Sequence, residues 1–137
     1  MNFENKFEIF CDFVKKQYEN ESKIKICVAG YIDYSGQVFE YAQNSYCCCA
    51  ERNLIRGNVP HIYCDMIVIR MHKNSHGLFI KNCQPCGKCV EYIAELPENI
   101  EHIIWSKNSG FTFETTHNIP SNTYVAHNGC WNNYPRK

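Results

Sequence analysis

The chain has 137 residues, of which 45% are hydrophobic, and it carries 14 Lys and Arg against 14 Asp and Glu. This length and apolar fraction predict a single globular domain, residues 1–137, with a core that needs no disulfide staples. The formal net charge of zero disfavours a protein that holds duplex DNA or an acidic membrane through a broad basic surface, and makes a nucleic-acid partner the less favoured choice. Local basic grooves remain compatible with this charge.

The apolar runs are too short to predict a transmembrane helix. The first residues interleave acids with aromatics, whereas a signal peptide would begin with basic residues and an apolar run. We therefore expect an intracellular, cytoplasmic chain with no membrane partner. In that compartment the ten cysteines point to metal ligation before a disulfide framework.

The first half of the chain predicts a helix, a hairpin and a second, short helix. Residues 2–19 place aromatic and aliphatic side chains three to four positions apart, with charged residues such as Lys6 outside that stripe, which is typical of an amphipathic helix. Residues 23–32 and 37–43 are rich in β-branched and aromatic side chains around an Asp-Tyr-Ser-Gly turn, and so predict a β-hairpin. Residues 50–56 are good helix formers, followed by Gly, Asn and Pro stop signals.

The second half predicts one central strand, a helix and two further strands. Residues 62–72 form the most apolar β-branched run, which indicates a buried strand. Residues 87–96 predict a helix, since a proline stands just before it and another just after it. Residues 101–106 and 111–116 predict strands whose short connection leaves no room for a parallel crossover, so we expect an antiparallel hairpin.

This order of elements predicts an α/β fold, a three-layer α-β-α sandwich with a five-stranded mixed sheet. The predicted core spans about residues 2–116. The tail, residues 117–137, has no clear periodicity and yields no prediction of structure.

Three cysteines stand at the beginnings of the two shorter helices. Cys49 precedes the helix at 50–56, and Cys86 and Cys89 share one face at the start of the next helix. A helix N-terminus favours thiolate over thiol, and thiolate is the form that binds Zn²⁺. Three protein ligands leave a fourth position for water, which is typical of a catalytic zinc site.

Two further side chains complete the predicted site. Glu51 lies two residues past Cys49, where its carboxylate can move the proton of a water molecule without having to ligate the metal. Arg52 follows. Because Zn²⁺ with three thiolates carries a net charge of −1, a guanidinium beside one sulfur would preserve the metal's Lewis acidity.

The Cys-Ala-Glu motif at 49–51 and the Pro-Cys-Gly-Lys-Cys motif at 85–89, taken in that order, resemble the cytidine deaminase superfamily. The resemblance extends over the predicted elements, about residues 2–116. With Cys as the first ligand and Arg52 next in the motif, the chain is most similar to the free-nucleoside and blasticidin-type branch. The predicted β-hairpin at the end of the core favours the same branch.

This resemblance implies a function. Glu51 would shuttle a proton during zinc-dependent hydrolytic deamination of cytidine, deoxycytidine or a related small cytosine-containing compound. It also implies a homo-oligomer, by analogy alone. The Asn-x-Glu pattern with which nucleoside deaminases hold the ribose is not found between Gln37 and Asn44, and Asn44 is the candidate for part of that role.

Two alternatives stay open at this point. The first is deamination of cytosine within single-stranded nucleic acid. The second is a catalytically inactive protein stabilised by structural zinc, since Cys83, Cys86 and Cys89 give overlapping C-x-x-C pairs that also occur in structural sites. The acid at Glu51 favours the catalytic interpretation. The remaining buried-pattern cysteines are expected to pack as small hydrophobes, and the six histidines to lie on the surface or in loops.

Overall fold

The computed structural model describes residues 1–20, 25–45, 49–108 and 110–117. Its elements are helices α1 (Phe3–Tyr18), α2 (Ala50–Arg56) and α3 (Gly87–Ala94), and strands β1 (Lys25–Asp33), β2 (Val38–Gln43), β3 (Cys64–Asn74), β4 (Gly77–Lys81), β5 (Ile100–Lys107) and β6 (Gly110–Thr115). None of these helices is both long and apolar enough to cross a membrane. Cys47 and Cys48 lie outside the described residues, and so does the tail beyond His117, for which the sequence yields no prediction.

The strands form one mixed sheet in the order β2-β1-β3-β5-β6, with β4 paired to β3. The pair β3–β5 is parallel, and every other described pair is antiparallel. The parallel connection from β3 to β5 contains α3, as the length of a crossover requires. The predicted antiparallel hairpin at the end of the core is confirmed by the pairing of β5 with β6.

The prediction of five strands is wrong by one, because the described part of the chain forms a sheet of six. The additional strand is β4. Strand β1 pairs with β3 from Cys64 to His72, so the other edge of β3 is shared: β5 takes its first half and β4 its second half. The turn into β4 ends at Gly77, whose φ of 121° favours glycine. Five residues between turn signals gave too short a pattern to predict this strand.

The sheet has a hydrophobic core on each face. Helix α1 packs Phe10 and Val14 against one face, where Ile67 and Ile69 of β3 belong to the same cluster. Helices α2 and α3 cover the other face, with a separate cluster that includes Val68 of β3. Successive strand residues therefore alternate between the two cores, and the molecule has three layers.

Lys6 does not lie outside the packed face of α1, as the helical pattern predicted. It is buried at 2% exposure, and its Nζ donates to Asp65 Oδ2 at 2.7 Å. His102 also departs from the expectation of a surface or loop residue, since it lies in β5 half-buried, with its Nδ1 3.0 Å from Asp65 Oδ1. A buried carboxylate on β3 thus recruits two basic side chains that sequence spacing alone assigned to solvent.

Candidate metal centre

Two helices begin at the same place in the molecule, and each begins with a thiol. Cys49 is the N-cap of α2 and Cys86 is the N-cap of α3, both with extended backbone. Cys89 lies three residues further, on the same face of α3 as Cys86. Both helices therefore present thiols at their N-terminal ends, where the partial positive charge of the helix dipole lies.

The three thiols converge. Cys49 Sγ is 3.8 Å from Cys86 Sγ, and Cys86 Sγ is 3.5 Å from Cys89 Sγ. All three sulfurs lie within 4.8 Å of one another, and each residue is buried. Tetrahedral Zn–S bonds of about 2.3 Å would hold sulfurs about 3.8 Å apart. The buried cysteines therefore form a cluster that could bind a metal ion, and their number and spacing fit a tetrahedral thiolate site.

The contacts among the thiols affect the protonation of Cys89. Hydrogen bonds with Cys49 and Cys86, followed by burial, raise the pKa of the Cys89 thiol well above its ordinary value. Neighbouring thiolates in a water-poor site repel one another, so the protein alone keeps this thiol protonated. A divalent cation among the sulfurs would reverse that preference.

Glu51 lies in the first turn of α2 and is 4% exposed. Burial, and to a smaller degree the charge of Cys86, raises the pKa of its carboxyl to about 7. Among the described residues, the donor atoms that come within 4.8 Å of one another at this site are the three cysteine sulfurs, and the Glu51 carboxylate is not one of them. The carboxyl thus lies within electrostatic reach of the thiols and outside their ligand set.

Arg52 lies beside the first cysteine of the cluster. Its Nη2 is 4.0 Å from Cys49 Sγ, and its guanidinium carbon is 5.8 Å from the centroid of the Tyr92 ring. The ring contacts the guanidinium from the side of α3. The positive charge lies beside Cys49 Sγ, where it would offset the charge of a metal-bound thiolate.

Asn44 lies between β2 and α2, half-buried, and its backbone N–H donates to the Cys27 carbonyl at 3.0 Å. This contact anchors the segment that leads to the cluster. Sequence reasoning missed a second anchor, Asn53, whose Nδ2 donates to the Gln43 carbonyl at 2.9 Å and lies 3.2 Å from Ser45 Oγ. Its position one turn past Cys49 was the available signal, because an asparagine inside a helix often bonds outside it.

A second pair of thiols was also missed. Cys27 Sγ on β1 and Cys83 Sγ lie 3.2 Å apart, both buried. Hydrogen bonding to Cys27, then burial, raises the pKa of the Cys83 thiol well above its ordinary value. The backbone N–H of Cys83 also donates to the Ser106 carbonyl at 2.8 Å, so this residue fixes the loop that delivers Cys86.

Asp65, Glu101 and His102 form another convergent set of metal-type donors on the α1 face. Here the acids already have partners, because Lys6 donates to Asp65 and the Tyr34 hydroxyl donates to Glu101. The ammonium of Lys6 supplies the positive charge that a metal would bring, so this set acts as a buried ion-pair cluster.

No protein-family model matches the chain, and a search of curated proteins gives no match either. The described residues define an α/β protein with a mixed six-stranded sheet and a buried three-cysteine cluster that could bind a metal at the N-termini of two helices.

Proposed function

We propose that this chain is a zinc-dependent hydrolase that removes the amino group of a cytosine-type base in cytidine, deoxycytidine or a related small compound. The observation that carries the proposal is the cluster of three converging thiols with the buried Glu51 carboxyl in the first turn of α2, the helix that Cys49 caps. This combination agrees with the resemblance to the cytidine deaminase superfamily described above.

The ligands of the zinc ion would be Cys49, Cys86 and Cys89. Sulfur donors favour Zn²⁺ over Mg²⁺ or Ca²⁺, which prefer oxygen. When bound with three protein ligands, zinc lowers the pKa of water and supplies a Lewis acid at the fourth position. A purely structural site would more often close that position with a fourth side chain.

Glu51 would perform the proton transfers. In the overall reaction, water adds at the carbon that bears the amine, the C–N bond breaks, and a uracil-type product and ammonia leave. The Glu51 carboxylate would take one proton from the attacking water and deliver it to the ring nitrogen. It would then transfer the second proton of that water to the amino group, which leaves as ammonia. Burial raises the pKa of this carboxyl above its ordinary value, a direction that makes it a better proton acceptor.

Burial explains how the chain would tune this group. Glu51 is 4% exposed, and desolvation is the largest cause of its raised pKa. The charges of Arg70 and Arg52 act in the opposite direction. The same exclusion of water strengthens any interaction between the carboxyl and a substrate nitrogen.

The test is ammonia release from cytidine, deoxycytidine, their monophosphates, blasticidin S and a cytosine-bearing oligonucleotide, with the zinc-loaded protein. We expect Glu51→Gln to lose at least 10²- to 10⁴-fold in rate, as for other general acid–base residues, while it folds and keeps its zinc. Glu98→Gln, which changes an exposed acid, is the matched control and should leave the rate unchanged.

Three results would contradict the proposal. If the wild-type protein holds zinc and releases no ammonia from any of these compounds, the cluster is a structural site. If Glu51→Gln keeps most of the wild-type rate with zinc bound, the carboxyl is not the proton shuttle. Loss of zinc from Glu51→Gln would instead make Glu51 a ligand and remove the open position.

A further inference from the structure

The strand that sequence reasoning missed creates a groove at the end of the sheet. Strand β4 pairs with β3 from Arg70 to Asn74, beyond the part of β3 that β5 covers. A cavity of about 420 Å³ lies over this three-stranded end. The described residues that line it are Lys25, His72, Lys73, Asn74, Phe79 and Lys81.

The groove lies on the same face of the sheet as the thiol cluster. Val68 of β3 belongs to the core beneath α2 and α3, so Arg70 and His72, two and four residues on, face the same side. Lys25 and Phe79 pair with His72 from the two flanking strands, and Lys81 pairs with Arg70. Each step of two residues moves about 7 Å along the strand, away from the helices.

The charged residues among the described lining of the groove are lysines, although the whole chain has no net charge. None of the described lining residues is acidic. Burial, and then the charges of Lys25, Arg70 and Lys81, lower the pKa of His72. Lys73 is partly engaged, since its Nζ donates to the Glu19 carbonyl at 3.2 Å.

An aromatic ring lies among these cations. Phe79 is 43% exposed on a strand whose neighbouring apolar residues, Leu78 and Ile80, pack into the α1-side core. An exposed ring flanked by lysines is the combination that stacks a base and pairs with its phosphate. Phe79 and Lys81 are two residues, or about 7 Å, apart on one face, a distance that a nucleotide spans between its base and its phosphate.

A polar atom in the groove also lacks a partner. His72 Nε2 is buried and has no hydrogen-bond partner among the described residues. Buried ring nitrogens of this kind are costly to leave unpaired. A ligand oxygen in the groove would reach this nitrogen only after the imidazole rotates toward it.

We propose that this groove binds the phosphate of a nucleotide between Lys25 and Lys81, with the base stacked on Phe79. A free mononucleotide and one nucleotide of a single strand both offer this base and phosphate, so either could occupy the groove. Binding by the groove is independent of the deamination chemistry. The further step, in which a bound ligand extends past Arg70 toward Glu51 and is deaminated, rests on the proposed function.

The binding test uses ligands without cytosine, so that no reaction interferes: a fluorescein-labelled oligothymidylate, thymidine monophosphate and inorganic phosphate. We expect Lys25→Gln and Lys81→Gln each to weaken oligothymidylate binding about fivefold at 0.1 M salt, and to reduce the slope of log K against log salt by about 0.7. Phe79→Leu should weaken binding about fivefold or more at unchanged salt slope. The control is Lys16→Gln, an exposed lysine on α1, which should bind as wild type.

Competition with unlabelled ligands distinguishes a site for a free mononucleotide from a site for a nucleotide within a single strand. Displacement of the probe by thymidine monophosphate at concentrations comparable to the strand identifies a mononucleotide site, and displacement by unlabelled strand alone identifies a strand site. Absence of binding, or equal weakening by Lys16→Gln and the groove variants with thermal unfolding unchanged, would overturn the proposal.

A catalytic arm separates this inference from the proposed function. If the groove binds nucleotides as described and no ammonia is released from any cytosine compound, the groove stands and the deaminase proposal fails. If cytidine is deaminated and Lys25→Gln, Lys81→Gln and Phe79→Leu all bind oligothymidylate as wild type does, the groove proposal fails while the deaminase proposal stands.

Discussion

The buried pair of Lys6 and Asp65 gives a sharp test of how this fold is held together. Both side chains are 2% exposed, and Nζ lies 2.7 Å from Oδ2. Asp65 Oδ1 also accepts from the backbone N–H of His102 at 3.2 Å. The perturbation is Asp65→Asn, which preserves size and one acceptor oxygen but removes the charge that Lys6 faces.

The expected cost follows from what is left behind. Asparagine opens no cavity, so the loss comes from the ammonium of Lys6, which stays buried without its counter-charge. Removing one partner of a buried ion pair costs about 3–5 kcal/mol. In a domain of this size each kcal/mol lowers the melting temperature by about 3–5 °C, so we expect a decrease of at least about 10 °C.

The assay is urea and thermal unfolding of four proteins: wild type, Asp65→Asn, Lys6→Met and the double variant. Methionine removes the buried ammonium that Asp65→Asn leaves without a counter-charge. The double variant should therefore lose less free energy of unfolding than the two single variants added together, with a coupling of about 0.5–3 kcal/mol. Asp12→Asn, at an exposed position on α1, is the control. The reasoning is refuted if Asp65→Asn costs no more than that control, or if the singles add.

The remaining predictions concern the metal ligands and the packing of α1. Cys86→Ser should lose bound zinc, because an alcohol is a poor substitute for thiolate, whereas Cys83→Ser should retain one zinc per chain by elemental analysis; the reverse pattern would reassign the ligand. Gly30→Ala should cost about 1–3 kcal/mol in urea unfolding, because an added Cβ would lie 2.6 Å from Phe10 Cε1. Gly57→Ala, whose nearest contact would be 3.4 Å away, should cost less, and equal costs would contradict the packing argument.

Much of the architecture could be predicted from local patterns. The helix predicted at 2–19 spans Phe3–Tyr18, and the strand predicted at 62–72 spans Cys64–Asn74. These elements have long, regular hydrophobic periodicity, and the helix at Gly87 is delimited by proline, which acts through its own backbone chemistry. Strand β4 was missed because its stability comes from pairing with the far half of β3, which no local pattern records.

The thiols of the candidate site could be identified in the sequence because their spacing is also a local pattern. A C-x-x-C pair at the start of a helix points both sulfurs to one side whatever the rest of the fold does. That Cys49 joins them from a helix 37 residues earlier is decided by the packing of α2 beside α3 on one face of the sheet. Sequence order and motif spacing suggested this convergence, and the tertiary structure brings the sulfurs within 4.8 Å.

What the sequence by itself determined is local: where helices begin, which strands are buried, and which residue types offer sulfur and a carboxyl. The tertiary structure decided burial and electrostatics, since these depend on neighbours distant in sequence. Lys6 has the spacing of a solvent-facing residue and is buried because Asp65 lies beneath it. Glu51 is an ordinary acid in the sequence, and burial under the fold raises its pKa to about 7, because the free energy of a charge is set by the medium around it.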